Sequence, residues 1–301
     1  MEHTQMSDYT PRTDLACERM KADADLPGVE YTEEEHGEFR LTRLHVTSAE
    51  GATSIGKPEG TYLTLSHPPL WEMTEAGLSA LTDLLAGCLT KICGAAVPKA
   101  SSVLVTGLGN RFITADSIGP ETVRQVLATR HLQQEEPALF DRLGGTALSL
   151  LSPGVMAQTG METETIIKAV KEAVSPALII AIDALAARSF SRLGATVQLC
   201  DTGIRPGSGI GNARAALDRE SLGVPVIGIG IPTVVDSATL VLDVLEKGGL
   251  REIPDGVREV LENGNSFFVT PREGDVLAER ASALLADALN RAFNPGFFAA
   301  E

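Results

Sequence analysis

Residues 177–183 read ALIIAID, a run of six apolar residues that ends in Asp183. A strand that is apolar on both of its faces is typical of a parallel sheet, because helices cover both sides of such a sheet. The run therefore predicts a central, buried strand. It also predicts that the carboxylate of Asp183 follows this strand directly.

Similar short apolar runs alternate with helical patterns on both sides of this stretch. Strands are predicted over residues 39–46, 62–65, 102–106, 177–182, 196–199 and 224–229, and helices over 72–93, 120–130, 162–174 and 233–247. This alternation is typical of a mostly parallel sheet that is flanked by helices on both faces. We therefore predict an α/β fold.

Three local patterns refine this outline. In residues 39–46 the alternation slips at Arg43, which predicts a bulged or edge strand. Thr270-Pro271-Arg272-Glu273 predicts the start of the last long helix, with Thr270 as its cap. Residues 1–35 carry turn formers and dense charge with little apolar periodicity, so they predict a loosely attached arm.

The composition limits the classes of function. A chain of 301 residues that is 44% hydrophobic can bury a substantial core. No apolar run approaches the roughly 18 residues of a membrane span, and the polar N-terminus does not resemble a secretory signal. Because a net charge of −15 repels phosphate backbones, we expect no direct nucleic-acid binding. Because no apolar run is long enough, we also expect no membrane location.

The cysteines and histidines do not form a metal-binding pattern. Four cysteines at irregular spacing predict free thiols in a reducing cytoplasm. Five scattered histidines without an HExxH pair argue against a common protease zinc site. We therefore expect no metal and no other cofactor.

Two aspartates lie where predicted strands end. Asp183 follows the strand at 177–182, and Asp116 lies in the loop after the strand at 102–106. In an open parallel sheet, the carboxyl ends of the strands form one rim where ligands and chemistry gather. We therefore expect Asp116 and Asp183 to lie at the same rim.

Two neighbouring carboxyl groups can hydrolyse a peptide bond. An ionised one accepts a proton from water, while a protonated one polarises the carbonyl or protonates the leaving nitrogen. Two like charges in a partly dry site raise the pKa of one of the two carboxyl groups. One group then acts as the base and the other as the acid. An aspartate after a strand or before a helix is more often a cap or turn residue, and from spacing alone that alternative stays open.

Two glycine-bearing loops were compared with nucleotide-binding motifs. Residues 201–212 (DTGIRPGSGIGN) lack a Walker lysine, and the third glycine of a dinucleotide fingerprint is missing after Gly107 and Gly109. We interpret 201–212 as a conformationally special loop that borders the site. A serine–histidine triad is also not predicted, because the chain has no Gly-x-Ser-x-Gly elbow with a suitably placed histidine.

Five stretches, in order along the chain, resemble one protease family. They are residues 103–120 (VLVTGLGNRFITADSIGP), 151–162 (LSPGVMAQTGME), 177–189 (ALIIAIDALAARS), 200–212 (CDTGIRPGSGIGN) and 224–236 (VPVIGIGIPTVVD). They resemble the germination proteases, endopeptidases that degrade small acid-soluble spore proteins in the cytoplasm of the spore core. The resemblance implies a phosphorylase/hydrolase-like fold similar to hydrogenase-maturation proteases, and a homo-oligomer, usually a tetramer. It also implies that the family's two proposed catalytic aspartates are Asp116 and Asp183.

The resemblance further implies an inactive precursor that removes its own N-terminal segment. Residues 13–18 (TDLACE) resemble the family's substrate motif, in which an acidic residue is followed by an apolar one, alanine, a small residue and glutamate. We therefore predict self-cleavage between Asp14 and Leu15, with 1–14 as a propeptide and 15–301 as a single α/β protease domain. Four residues in the matching stretches are expected to line the site: Asn110, Gln158, Thr159 and Asp201.

Two other functions stay open. Hydrogenase-maturation proteases bind nickel with carboxylates and a histidine at the equivalent rim, so a divalent ion between Asp116 and Asp183 is one alternative. Such an ion lowers the pKa of bound water. The other alternative is a non-catalytic regulator or small-molecule-binding protein that keeps the fold.

Overall fold

A computed structural model describes residues 3–5, 12–20, 26–208, 214–250, 252–263 and 267–298. The strands are β1 (His3–Gln5), β2 (Val29–His36), β3 (Phe39–Val46), β4 (Gly60–Ser66), β5 (Ser102–Gly107), β6 (Ala147–Leu151), β7 (Leu178–Ala187), β8 (Thr196–Cys200), β9 (Val226–Asp236), β10 (Glu252–Pro254) and β11 (Phe268–Val269). The α-helices are α1 (Ala49–Ile55), α2 (Glu75–Ala96), α3 (Ile118–Gln125), α4 (Arg130–Glu135), α5 (Pro137–Leu143), α6 (Met156–Thr159), α7 (Thr163–Val174), α8 (Arg219–Leu222), α9 (Ser237–Lys247), α10 (Asp255–Asn263), α11 (Gly274–Phe293) and α12 (Pro295–Phe298). Short 3-10 helices cover Cys17–Arg19, Thr114–Asp116 and Phe190–Arg192.

The main sheet is mixed and has nine strands. Its order is β2-β3-β4-β8-β9-β7-β5-β6, and β11 pairs with β9. Strands β9, β7, β5 and β6 are parallel, whereas β2, β3, β4 and β8 pair antiparallel with their neighbours. The two residues between β2 and β3 are enough for an antiparallel pair, while parallel neighbours need a long crossover. The predicted α/β class is confirmed, with the parallel pairing concentrated in β9, β7, β5 and β6.

Helices cover both faces of this sheet, as the sequence predicts. Val103 and Val105 of β5 contribute to a core that also contains side chains of α2, α3 and α11. Leu104, between them, packs on the opposite side with Ile167 of α7 and Leu222 of α8. We call this second side the α7 face.

Strand β7 divides its side chains between the two cores. Ile180 and Ile182 belong to the core under α2 and α11, whereas Ile179 and Ala181 lie on the α7 face. Because side chains alternate along a strand, Asp183 shares the α7 face with Ile179 and Ala181. The fold therefore directs this carboxylate toward the side of the sheet that α7 and α8 only partly cover.

Helix α2 is the one described helix that is long and apolar enough to cross a membrane by length and composition, with a mean hydropathy of 1.3. Its side chains Leu81, Leu85, Leu89 and Ile92 are buried in the core beneath the sheet. These contacts account for its apolar composition.

Residues 1–35 do not form the loosely attached arm that the sequence predicts. Leu15 and Ala16 are fully buried, and β2 is the edge strand of the main sheet. The charges that suggested an arm lie on β2, whose residues after Val29 are exposed. Residues 1–2, 6–11 and 21–25 of the predicted arm lie outside the described residues.

Two other local predictions also differ from the structure. Strand β3 pairs with both β2 and β4 in continuous register, so it is neither bulged nor at the edge. Its alternation slips because Phe39 is buried on one face, while Leu44 and Val46 are buried on the other. Helix α11 begins at Gly274, so Thr270 does not cap it.

Candidate active site

Asp183 lies inside β7 rather than after its end, because β7 continues to Ala187. The last residue of β7 that pairs with β5 is Ile182, opposite Gly107. Asp183 is therefore the first residue of β7 beyond the end of β5, which keeps it at the rim that the sequence predicts. The side chain is 7% exposed, and its Oδ1 accepts a hydrogen bond from the N–H of Ala184 at 3.0 Å.

Asp116 ends a 3-10 helix in the loop between β5 and α3. Its Oδ2 accepts a hydrogen bond from the N–H of Asn110 at 2.8 Å. Gly109 has φ +108°, and a Cβ at that position would lie 2.2 Å from the carbonyl oxygen of Asp116. The Gly-x-Gly sequence thus lets the backbone fold closely around the aspartate. Thr233 of β9 holds the other side of the loop by donating to the carbonyl oxygen of Ala115 at 2.6 Å.

The two carboxyl groups are electrostatically coupled. Burial raises the pKa of Asp183 well above its usual value, and the charges of Asp116 and Asp14 raise it further. Burial also raises the pKa of Asp116, which the hydrogen bond from Asn110 partly offsets. Since like charges in a dry site disfavour double ionisation, the pair retains a proton at pH values where exposed aspartates are ionised.

Both aspartates line one cavity of about 370 Å³. Its wall is mostly apolar and includes Ile113, Met156 and Leu185. Asp14 lines the same cavity, and it also lines a second cavity of about 190 Å³ that contains Asp183, Lys57 and Gln198. The predicted cleavage residue and the two predicted catalytic residues therefore border one continuous region of the α7 face.

The N-terminal segment, residues 12–20, holds Asp14 in this region. The N–H of Asp14 donates to the carbonyl oxygen of Ala186 at 2.9 Å, and the N–H of Ala186 donates to Oδ2 of Asp14 at 2.9 Å. Oδ1 of Asp14 accepts from Ser208 at 2.6 Å. The carbonyl oxygen of Asp14 accepts from Lys57 Nζ at 2.8 Å and from Gln198 Nε2 at 3.1 Å.

The residues after Asp14 occupy separate pockets on the α7 face. Leu15 packs with a cluster that includes Leu185, Leu193 and Val235. Ala16 packs with a different cluster that includes Tyr62 and Cys200. The segment is therefore bound in one defined register.

The carboxylate of Glu18, further along the segment, is bound by several hydrogen-bond donors. Its oxygens accept hydrogen bonds from the N–H groups of Arg188 at 2.7 Å and Ser189 at 3.0 Å, and Arg192 forms an ion pair at 3.6 Å. Thr13 also donates to Glu18. Since the Glu18 side chain is only 5% exposed, this is a buried and well-partnered carboxylate.

The structure brings together two of the four expected lining residues. Asn110 binds Asp116 through its N–H, and its Oδ1 accepts from Gln158 Nε2 at 2.6 Å. The Thr159 hydroxyl instead bonds the backbone of its own turn, at Val155 and Met161. Asp201 accepts from the N–H of Thr61 at 2.7 Å. None of these four residues lines the two cavities described above.

The loop at 201–212 borders the smaller cavity through Thr202 to Ser208. Gly203 and Gly207 have φ +77° and +74°, which a residue with a side chain rarely adopts. Ser208 contacts Asp14 directly. Residues 209–212 of the predicted loop lie outside the described residues.

The described residues include no group of three or more histidine, cysteine, aspartate or glutamate side chains that could hold a metal ion. No histidine lines either cavity around Asp14. The cysteines are free thiols, as expected.

Sequence reasoning missed Lys57, Gln198 and Ser208. Gln198 had a usable signal, because a glutamine between Val197 and Leu199 in a buried strand must find hydrogen-bond partners. Lys57 had none, since it follows a short surface helix and resembles any other surface lysine.

Known proteins resemble the chain over most of its length. A family model described as germination protease matches residues 11–247. A germination protease of Caldanaerobacter subterraneus subsp. tengcongensis is 38% identical over 311 residues, which cover 95% of this chain and 94% of that protein. Germination proteases of Geobacillus sp. and Priestia megaterium are each 40% identical and cover 84% and 80% of this chain, and 72% and 68% of their own.

One solved structure aligns more distantly. A [NiFe] hydrogenase maturation protease of Thermococcus kodakarensis aligns with 66% of this chain and 99% of its own chain, at 16% identity and a TM-score of 0.36. A likeness at that TM-score supports no inference about function.

Proposed function

This chain belongs to the germination protease family, and we propose that it is a self-processing endopeptidase in which Asp116 and Asp183 activate water. Membership of the family makes it a peptidase with a role in spore germination. The proposal adds the two-aspartate mechanism, cleavage of the Asp14–Leu15 bond, and small acid-soluble spore proteins as substrates.

One observation carries the proposal. Asp14, Asp116 and Asp183 line the same cavity, although they are distant in sequence. Asp14 exchanges two hydrogen bonds with Ala186 of β7, one through its N–H and one through its carboxylate, so the segment is held against β7 as a bound peptide substrate is expected to be. This arrangement supports Asp14–Leu15 as the bond that the aspartates attack.

The pKa directions support a division of roles between the aspartates. Asp183 is the more deeply buried of the two, and two neighbouring charges raise its pKa further. We therefore assign the shared proton to Asp183. Asp116, ionised and held by the N–H of Asn110, accepts a proton from the attacking water. The hydroxide adds to the carbonyl carbon of Asp14, and the bond to the nitrogen of Leu15 breaks as that nitrogen takes the proton of Asp183.

The same site is proposed to act first on its own chain and then on other proteins. Residues 1–14 leave as a propeptide, and residues 15–301 form the protease domain. We further propose that the mature enzyme acts in the cytoplasm of the spore core as a homo-oligomer, expected to be a tetramer. Sedimentation velocity would test that assembly against the 31.7 kDa of one chain.

Replacement of either aspartate tests the mechanism. Chains that begin at Leu15 are given a peptide containing Thr-Glu-Phe-Ala-Ser-Glu, and mass spectrometry locates the cut. We expect cleavage between Glu and Phe by the parent, and a loss of kcat of at least about 1,000-fold in Asp116→Asn and in Asp183→Asn, because each removes a proton acceptor or donor. Intact Met1–Glu301 is expected to lose residues 1–14, whereas both variants stay whole.

Asp287→Asn, an exposed aspartate on α11, is the matched control and should cleave like the parent. Cleavage by Asp116→Asn or Asp183→Asn at the parental rate would refute the two-aspartate assignment. A loss of activity on exhaustive chelation would favour the metal-assisted alternative. A parent that cuts neither itself nor the peptide, with or without divalent metal, would favour the non-catalytic alternative.

A further inference from the structure

The carbonyl oxygen of Asp14 lies between two side-chain donors. Lys57 Nζ donates to it at 2.8 Å, and Gln198 Nε2 donates to it at 3.1 Å. This oxygen belongs to the peptide bond that the proposed function cleaves. It is the atom on which negative charge develops when water adds to the carbonyl carbon.

Lys57 is placed for this contact by the end of α1. Gly56 ends the helix with φ +63°, and this left-handed residue turns the chain so that Lys57 faces the smaller cavity. In the described part of the chain, no carboxylate lies within ion-pair distance of the Lys57 ammonium group. Its charge is therefore directed at a neutral carbonyl. Burial lowers the pKa of Lys57, and the nearby Asp14 carboxylate raises it.

Gln198 is held in one orientation by a second contact. Its Oε1 accepts a hydrogen bond from the N–H of Ala16 at 2.6 Å, which directs Nε2 toward the carbonyl oxygen of Asp14. Gln198 on β8 and Asp183 on β7 both pair with Gly230 of β9. The two side chains therefore share the α7 face at a separation of roughly two strand spacings, about 10 Å, which leaves room for an extended peptide between them.

We propose that Lys57 and Gln198 are catalytic residues that stabilise the oxyanion formed at the cleaved carbonyl, a role that rests on the proposed peptidase function. Water adds to the carbonyl carbon and gives its proton to Asp116, while the electron pair of the C=O bond moves onto the oxygen held by Lys57 and Gln198. The C=O bond re-forms as the C–N bond breaks, and the leaving nitrogen takes the proton of Asp183. The products are a new carboxylate and a new amine, and water is the only molecule consumed.

A simpler role must be distinguished from this one, since the same contacts could merely anchor the N-terminal segment. The chain that begins at Leu15 separates the two roles, because it no longer contains the carbonyl of Asp14. In that chain, a residue that only anchors the propeptide has no effect on cleavage of an added peptide. A residue that stabilises the oxyanion still affects it.

The test therefore measures kcat and KM for the added peptide in chains that begin at Leu15. We expect Lys57→Met to lower kcat by about 100-fold or more, as loss of one oxyanion donor does elsewhere, with KM changed by less than about threefold. Gln198→Met is expected to lower kcat by about 10-fold or more. Lys91→Met, an exposed lysine on α2, is the control and should match the parent.

A direct readout tests the two hydrogen bonds themselves and does not depend on turnover. In the uncleaved Asp116→Asn chain, the carbonyl carbon of Asp14 is labelled with ¹³C, and its resonance is expected to move upfield on Lys57→Met or Gln198→Met. A parental kcat in both folded variants, or an unmoved resonance, overturns the proposal. If the parent chain cleaves nothing, the proposed peptidase function itself is wrong. If the parent cleaves and both variants cleave equally well, only the oxyanion proposal is wrong.

Discussion

At the scale of single residues, the burial of Asp183 has a consequence for stability. An ionised carboxylate in a dry site is unfavourable, and here the charges of Asp116 and Asp14 add to the effect of burial. The pKa of Asp183 is therefore higher in the folded chain than in the unfolded chain, where it is near 4. The protonated side chain contributes stability that is fully present below the unfolded pKa. This stability is lost as the pH rises through the folded pKa of Asp183.

Asp183→Asn should therefore stabilise the fold at neutral pH. Asparagine keeps the shape and the oxygen that accepts from Ala184, but it cannot ionise. In chains that begin at Leu15, burial and the charge of Asp116 remain as causes, and we expect the free energy of unfolding in urea to rise by about 1 kcal/mol or more at pH 7.5, since one unit of pKa shift is worth about 1.4 kcal/mol. At pH 3.5 the two chains should differ little.

The exposed Asp287 gives the matched control, because Asp287→Asn should change stability little at either pH. An equal gain for Asp183→Asn at pH 3.5 and pH 7.5 would mean that ionisation of Asp183 is not the cause. A loss of stability at pH 7.5 would contradict the prediction outright.

The aspartates could be located from sequence, while their partners could not. Asp116 lies in the loop after β5 and Asp183 follows the apolar residues 177–182 within β7, and the rim rule needs only the order of strands and loops. Lys57 reaches the site through a left-handed glycine and the path of α1. That path depends on tertiary packing, which periodicity does not record.

At the scale of secondary structure, the end of α1 controls the position of Lys57. Gly56 adopts φ +63°, and a Cβ there would have only Arg19 Nη1 nearby, at 3.7 Å. Gly56→Ala therefore meets no steric block but adopts a left-handed backbone, which costs about 1 kcal/mol for most residues. We expect the free energy of unfolding to fall by about that amount and kcat for the added peptide to fall with it.

Two other substitutions make this prediction specific. Gly56→Asn should be milder than Gly56→Ala, because asparagine tolerates the left-handed region. Gly87→Ala, at an exposed position inside α2 with open space around it, should instead stabilise the chain by about 0.5–1 kcal/mol. A stabilising effect of Gly56→Ala in urea unfolding would show that the left-handed turn is not under strain.

Secondary-structure elements were predicted correctly where an apolar run defines a buried strand. The prediction was wrong where polar residues suit both a helix start and a turn. The buried strands β5, β7 and β8 were located from their apolar runs. The start of α11 was placed at Thr270, although the helix begins at Gly274 after a turn. A threonine and a proline also suit such a turn, so the local signal does not distinguish the two structures.

At the scale of the whole molecule, the N-terminal segment joins parts of the fold that are distant in sequence. Arg12 binds Asp236 at the start of α9, Asp14 lies at the two aspartates, and Glu18 binds beyond the end of β7. The composition of residues 1–35 gave no sign of this, because the pockets of the buried residues Leu15 and Ala16 come from remote strands. In the intact chain, this segment places Asp14 in the cavity of Asp116 and Asp183, which the proposed function assigns to the substrate.

The proposed cleavage at Asp14–Leu15 removes only residues 12–14 of this segment. Leu15, Ala16 and Glu18 remain attached to the protease domain, and their pockets and the Glu18 site remain available to them. A substrate that carries a glutamate at the corresponding position would use the same N–H groups and Arg192. The new N-terminus therefore competes with the substrate for one site.

Weakening this competitor should strengthen substrate binding. In the chain that begins at Leu15, we expect Glu18→Gln to lower KM for the added peptide several-fold at unchanged kcat, because hydrogen bonds to a charged group contribute about 1.5–3 kcal/mol. Arg192→Ala should change KM less than Glu18→Gln, since it weakens the binding of the competing glutamate and of the substrate's glutamate together. Glu30→Gln, an exposed glutamate on β2, should leave KM unchanged. If Glu18→Gln and Glu30→Gln give the same KM, the mature N-terminus leaves the site once cleaved, and the segment blocks the enzyme only while the Asp14–Leu15 bond is intact.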